Sequence, residues 1–133
     1  MDYSEFIGEV QHRIDEADMG AAVRNTRAVL TTLGERLQAD EAKDLAGPLP
    51  REIGYYLRDA ESGQRFDYQE FIARVAETAE VDEGEANVRT QAIVALVADV
   101  VPAGEVDDVA DGLPADYEDL FEFVGAPDDQ TPW

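Results

Sequence analysis

Nine residues near the start of the chain return 65 positions later: Asp2-Tyr3-Ser4-Glu5-Phe6-Ile7-Gly8-Glu9-Val10 reappears as Asp67-Tyr68-Gln69-Glu70-Phe71-Ile72-Ala73-Arg74-Val75. Further along the offset becomes 64: Ala22, Thr26 and Ala28 are matched by Ala86, Thr90 and Ala92. Glu41, Asp44, Ala46, Leu49 and Pro50 are matched in the same way by Glu105, Asp108, Ala110, Leu113 and Pro114. The order, the spacing and a single one-residue slip argue against chance, and a loop absorbs such a slip. A repeat on this scale means that one supersecondary unit is used twice, so the fold of one half predicts that of the other.

Each unit reads as four helices. Tyr3, Phe6, Ile7, Val10 and Ile14 recur at helical spacing and form one apolar stripe, with Tyr68, Phe71, Ile72, Val75 and Ala79 as counterparts. Asp2 and Asp67 stand where N-caps belong. A second helix is predicted from Met19 to Leu37 and again from Glu83 to Val101. The later copy is rich in β-branched residues, so a strand over Ile93–Val101 is the alternative, which the repeat disfavours. A short third helix carries Leu45 and Ala46, or Val109 and Ala110, with Glu41 or Glu105 in its first turn. Leu49-Pro50 and Leu113-Pro114 open a fourth, because proline loses nothing at a first helical position. Tyr56 and Leu57, then Leu120, Phe121 and Val124, supply the apolar face of that element. The expected architecture is all-α: two tandem copies of a four-helix unit, residues 1–60 and 66–124, packed into one compact helical domain, with a frayed acidic tail over 125–133.

Charge bounds the function. Asp and Glu number 31 against 10 Lys and Arg, a net −21, and Lys43 is the only lysine. Self-repulsion at this density opposes folding in dilute buffer, and molar salt, with a Debye length of about 3 Å, removes most of it. The composition therefore suits a salt-rich, haloarchaeal cytoplasm better than a merely acidic mesophilic one. Residues 1–64 hold 7 basic and 13 acidic side chains, whereas residues 65–133 hold 3 and 18, and no basic residue follows Arg89. Nucleic acid and anionic membrane surfaces need basic clusters and are not expected partners. There is no cysteine, which excludes disulfides and thiolate chemistry. No apolar run approaches the roughly 20 residues of a membrane span, and the acidic start Met1-Asp2-Tyr3-Ser4-Glu5 lacks the regions of a signal peptide. A cytoplasmic location is the expectation.

The segments Tyr-x-Glu-Phe-Ile-x-x-Val, Arg27-Ala28-Val29-Leu30-x-x-Leu33-Gly34-Glu35-Arg36-Leu37, Glu41-Ala42-x-Asp44-Leu45-Ala46-x-x-Leu49-Pro50, and Leu113-Pro114 followed by Leu120-Phe121, taken together, resemble the uncharacterised prokaryotic proteins of domain-of-unknown-function family 2267. The resemblance runs from about Asp2 to Val124. It implies an all-helical fold with duplicated halves and leaves function open. Gln38 departs from it, standing where the family pattern tends to place a serine, which removes the serine half of a Ser-x-x-Glu capping box.

No catalytic, metal or cofactor constellation stands out. His12 is the sole histidine, Ser4 and Ser62 lack a nucleophile-elbow context, and there is no glycine-rich phosphate loop. Asp107, Asp108 and Asp111 lack the alternating ligands and closing Glu of a calcium loop, so they read as a helix surface with diffuse counterions. Glu41/Asp44 and Glu105/Asp108 read as helix-start carboxylates rather than acid–base pairs. Arg24, Arg27 and Arg36 suit pairing with neighbouring acids, or an anion or a partner's carboxylate. Tyr55, Tyr56, Phe121 and Phe123 suit core or interface. The candidate interaction surface is Arg24, Arg27, Tyr55, Tyr56 and Phe123. The expected function is a non-enzymatic helical module that binds a protein partner or itself. The alternative is a small-ligand or regulatory domain with a pocket between the two repeat units.

Overall fold

The structure, a computed structural model, describes residues 1–125. The expected tail therefore lies outside the described residues except for Gly125. Helices α1 (Tyr3–Arg13), α2 (Met19–Arg36), α3 (Ala39–Ala46) and α4 (Arg51–Asp59) are followed by α5 (Tyr68–Ala79), α6 (Glu83–Val100) and α7 (Ala103–Gly112). A 3-10 helix, Ala115–Phe121, comes last, and no strand occurs among the described residues. The segment 93–101 is thus helical up to its end. The last element is tighter than the α-helix expected there.

Aspartate sets half of the starts. The side chains of Asp2, Asp18, Asp67 and Asp82 accept hydrogen bonds from the N–H groups of Glu5, Ala21, Glu70 and Glu85 at 2.8, 3.0, 2.8 and 2.7 Å. Each carboxylate satisfies an orphan donor at the positive end of the helix dipole. At α1 the box is complete, because Glu5 accepts from the N–H of Asp2 at 3.1 Å. At α3 the glutamate half survives the loss of serine: Glu41 accepts from the Gln38 N–H at 3.2 Å. Prolines 102, 50 and 114 precede α7, α4 and the 3-10 helix. After α1 and α5 the chain turns through left-handed Asp15 (φ 53°) and Glu80 (φ 61°), which are again 65 positions apart. A left-handed backbone is costly for a side-chain-bearing residue; the short polar side chain of Asp15 eases that cost, and the longer one of Glu80 does not.

Helix α2 is the spine, packing against α1, α3, α4, α5 and α6. In the second half α6 packs against α5 and the 3-10 helix, and it reaches back to α1. Helices α3 and α7 also meet. The core is one continuous cluster drawn from both halves, including Phe6, Leu30, Ile53, Leu57, Phe71, Ile93, Leu96, Tyr117 and Leu120. Phe6 and Phe71 are both buried, but Leu49 is buried while its counterpart Leu113 is half-exposed.

The connection 60–67 is pinned rather than free. Gly63 and Gln64 donate backbone hydrogen bonds to Leu37 O and Glu35 O at 2.7 and 2.9 Å. The Phe66 carbonyl accepts from Arg36 Nε at 2.9 Å and from the Tyr117 hydroxyl at 2.7 Å. The Arg74 guanidinium lies 3.8 Å from the Phe66 ring centroid and bonds Glu35, Gln64 and Glu70. Phe66, Tyr68, Phe71 and Tyr117 stack or meet edge-on with centroids 5.6–6.3 Å apart. This aromatic group joins the connection, α5 and the 3-10 helix into one piece.

Candidate functional site

The first half carries most of the residues that sequence reasoning named. Proline 50 starts α4 and sets its register so that Ile53 and Leu57 face inward. That leaves Tyr55 pointing out, 53% exposed, with Tyr56 half-buried against the core edge. Arg51 precedes Tyr55 by one turn and is exposed. Burial pushes the Tyr56 phenol above its ordinary value; Tyr3 raises it further and the Arg27 guanidinium lowers it. Tyr3, Arg27 and Tyr56 therefore share one neighbourhood, where α1, α2 and α4 converge. Arg27 is exposed, and neither it nor Arg51 has a salt-bridge partner among the described residues. Beside them lies an open concavity of about 510 Å³ lined by Met1, Asp2, Tyr3, Ser4, Pro50, Arg51 and Glu52.

Arg24 and Phe123 are placed differently. Arg24 Nε lies 3.9 Å from Glu80 at the end of α5 and makes no hydrogen bond, so this guanidinium faces the α2–α5 seam. Phe123, 43% exposed, follows the 3-10 helix in the other half of the chain. Of the expected surface, the structure brings Arg27 and Tyr56 together, and Tyr55 stands exposed next to Tyr56 in α4. Arg36 serves the fold, through Phe66 and the Tyr117 ring 5.2 Å away.

His12 is exposed on α1, and Asp107, Asp108 and Asp111 are exposed on α7. No group of three or more His, Asp or Glu side chains converges to hold a metal among the described residues. No helix among them is long and apolar enough to cross a membrane.

Two seams join the halves. The inner gap between Leu33, Leu45, Val94, Val97, Val106, Val109, Leu120 and Phe121 measures about 10 Å³, barely one water. The outer one, where α1 ends against the start of α6, is a broad groove of about 640 Å³ that includes Arg13, Asp15, Asp82 and Arg89. It is crossed by ion pairs, Arg13–Asp99 at 2.7 Å and Arg89–Glu16 at 3.7 Å.

A different cleft was missed from the sequence. It measures about 320 Å³, lies between α7 and the 3-10 helix, and is lined by Ala110, Leu113, Pro114, Ala115, Tyr117, Glu118 and Phe121. Tyr117, 1% exposed, is among the largest side chains of the core, although the sequence reading passed over it. The signal was present: Tyr117 stands 64 positions after the inward-facing Ile53.

Comparison with curated proteins finds no match. Residues 3–120 match a family described as an uncharacterized conserved protein (DUF2267). The chain belongs to that family.

Proposed function

We propose that this chain is a duplicated four-helix unit whose first half presents a protein-binding face, working without chemistry of its own in a salt-rich cytoplasm. The duplication is supported by how the helices pair. The contacts α1–α2, α1–α6 and α2–α4 have counterparts in α5–α6, α5–α2 and α6 with the 3-10 helix. The contacts α2–α6 and α3–α7 map onto themselves. Such pairing is what two equivalent units related by an approximate two-fold axis would give.

One observation carries the binding reading: Tyr56 lies by Arg27, and the exposed Tyr55 stands one turn after the exposed Arg51 on the same helix. Tyr and Arg are the residues most enriched at interface hot spots. Among the described residues neither guanidinium has an ion-pair partner, which leaves both open to a partner's carboxylates. The test is affinity capture from native lysate in molar potassium chloride, with the wild-type chain and a Tyr55→Ser/Arg27→Glu variant as baits. Light scattering of both proteins runs alongside to detect self-association. A partner, or a dimer, seen with wild type and lost with the variant is the expected result. Identical capture and identical mass for both proteins would remove the face from consideration.

A further inference from the structure

The cleft in the second half lies where the two units differ, with Tyr117, Glu118 and Phe121 standing for Ile53, Gly54 and Leu57 and a 3-10 helix for an α-helix. Its lining residues Ala110, Leu113, Pro114, Tyr117, Glu118 and Phe121 stand 64 positions after Ala46, Leu49, Pro50, Ile53, Gly54 and Leu57. In the first half that region is closed. A Cβ added at Gly54 would lie 2.8 Å from Ala46 O and 3.3 Å from the Ala46 Cβ, so α4 nests on α3 only because residue 54 has no side chain. Glu118 cannot nest in this way. The 3-10 helix stands off α7, Leu113 and Ala110 become half-exposed, and about 320 Å³ opens between them.

We infer that this cleft binds a small organic cation: an aromatic or branched aliphatic body of roughly nine heavy atoms carrying one ammonium group. Its volume falls at the lower end of ligand pockets, and its walls are the apolar faces of Ala110, Leu113, Pro114 and Phe121 with the Tyr117 ring. The only ionisable carboxylate in the lining is Glu118, exposed at the rim and without a salt-bridge partner among the described residues. No basic residue follows Arg89, and residues 65–133 carry 18 acids against 3 bases. The nearest guanidinium, Arg36 over the Tyr117 ring, is held by the Phe66 carbonyl. An anionic ligand would meet the Glu118 carboxylate and a largely negative surround, whereas an ammonium would gain from both. The site is separate from the face on α4.

Three probes sharing a phenylethyl body distinguish the terms: 2-phenylethylammonium, 2-phenylethanol and 3-phenylpropionate, titrated at about 0.3 M potassium chloride, where charges are only partly screened. Amide shifts are followed by two-dimensional NMR on the whole chain. Saturable shifts at Ala110, Leu113, Tyr117, Glu118 and Phe121 are expected for the ammonium, with affinity about tenfold above that of the carboxylate. Glu118→Gln, an exposed change that leaves the fold intact, should bring the ammonium down to the alcohol's affinity without changing the alcohol. No saturation at these amides by about 10 mM overturns the site. Equal affinity of the ammonium with the alcohol or the carboxylate, or a Glu118→Gln variant that binds the ammonium as well as wild type, overturns the assignment of a cation.

Discussion

Tyr117 shows how much one side chain can be asked to do. Its ring meets Tyr68 and Phe71 edge-on, and its hydroxyl closes the junction by donating to Phe66 O at 2.7 Å. Burial pushes the phenol up to about 12, against an opposing pull from Arg36 and with smaller upward contributions from Asp116 and Asp67. Tyr68, whose hydroxyl donates to Asn87 Oδ1 at 2.6 Å, is pushed up as well, first by burial and then by Asp119 and Tyr117. A phenol that resists ionisation in the fold contributes stability that is complete below the unfolded pKa of about 10 and is lost as pH rises through the folded value. Between these values the unfolded chain has released the proton and the folded chain has not, so stability falls as pH rises. Urea midpoints should therefore hold from neutral pH to about 9 and then decline up to about 12. Tyr117→Phe should cost about 1 kcal/mol at neutral pH, since Phe66 O keeps its bond from Arg36, and it should flatten part of the alkaline decline. An alkaline slope unchanged in the variant would show that this hydroxyl does not carry the effect.

At the scale of elements, two glycines on long helices make opposite cases. Gly34 lies where α2 crosses α4: an added Cβ would sit 2.6 Å from Leu57 O and 2.8 Å from the Ala60 Cβ. Gly8, on α1, has nothing within 4 Å of that position. Alanine is favoured over glycine in a helix by about 1 kcal/mol, but overpacking a tight crossing costs about 1–3 kcal/mol. Gly8→Ala should therefore raise the denaturation midpoint, and Gly34→Ala should lower it because backbone must move. Stabilisation by both would mean that α4 is not held this closely. The same comparison explains what could be read from the sequence. Helix α2 was legible nearly to its ends from its apolar stripe, and α6, buried all round over residues 93–97, was legible because the repeat places it as the counterpart of α2. The last element was not, because the α-helical period selects Leu120, Phe121 and Val124, whereas a 3-10 turn brings residues three apart to one side. Tyr117 and Leu120 are accordingly buried, with Phe121 and Val124 half-exposed. The cleft could not be read either, since a gap between two helices depends on how far one stands from the other.

For the whole molecule the dominant quantity is charge. A net −21 on a 14.6 kDa body is brought together by folding, and the ion pairs among the described residues, centred on Arg13, Arg24, Arg74 and Arg89, are partly exposed. Exposed pairs contribute about 0–1 kcal/mol each, too little to offset repulsion among so many acids. At about 0.01 M salt the Debye length is roughly 30 Å, so acids on opposite sides of the protein still interact. Screening weakens this term first, and at molar levels an excluded anion strengthens apolar burial. The load is uneven: residues 65–133 carry 18 acids against 3 bases, while residues 1–64 carry 13 against 7. The two halves nevertheless share one core, and Arg13–Asp99 and Arg89–Glu16 cross between them. The melting temperature should therefore climb from about 0.05 M to about 2 M potassium chloride. At the low end, amides of α5, α6 and α7 should lose protection before those of α1, α2 and α4. Hydrogen exchange followed residue by residue at several salt concentrations measures both effects. A melting temperature that stays flat or falls would remove the salt-rich cytoplasm from the proposal. A rise with uniform loss of protection would keep it, and would mean that the shared core couples the halves more strongly than their charges divide them.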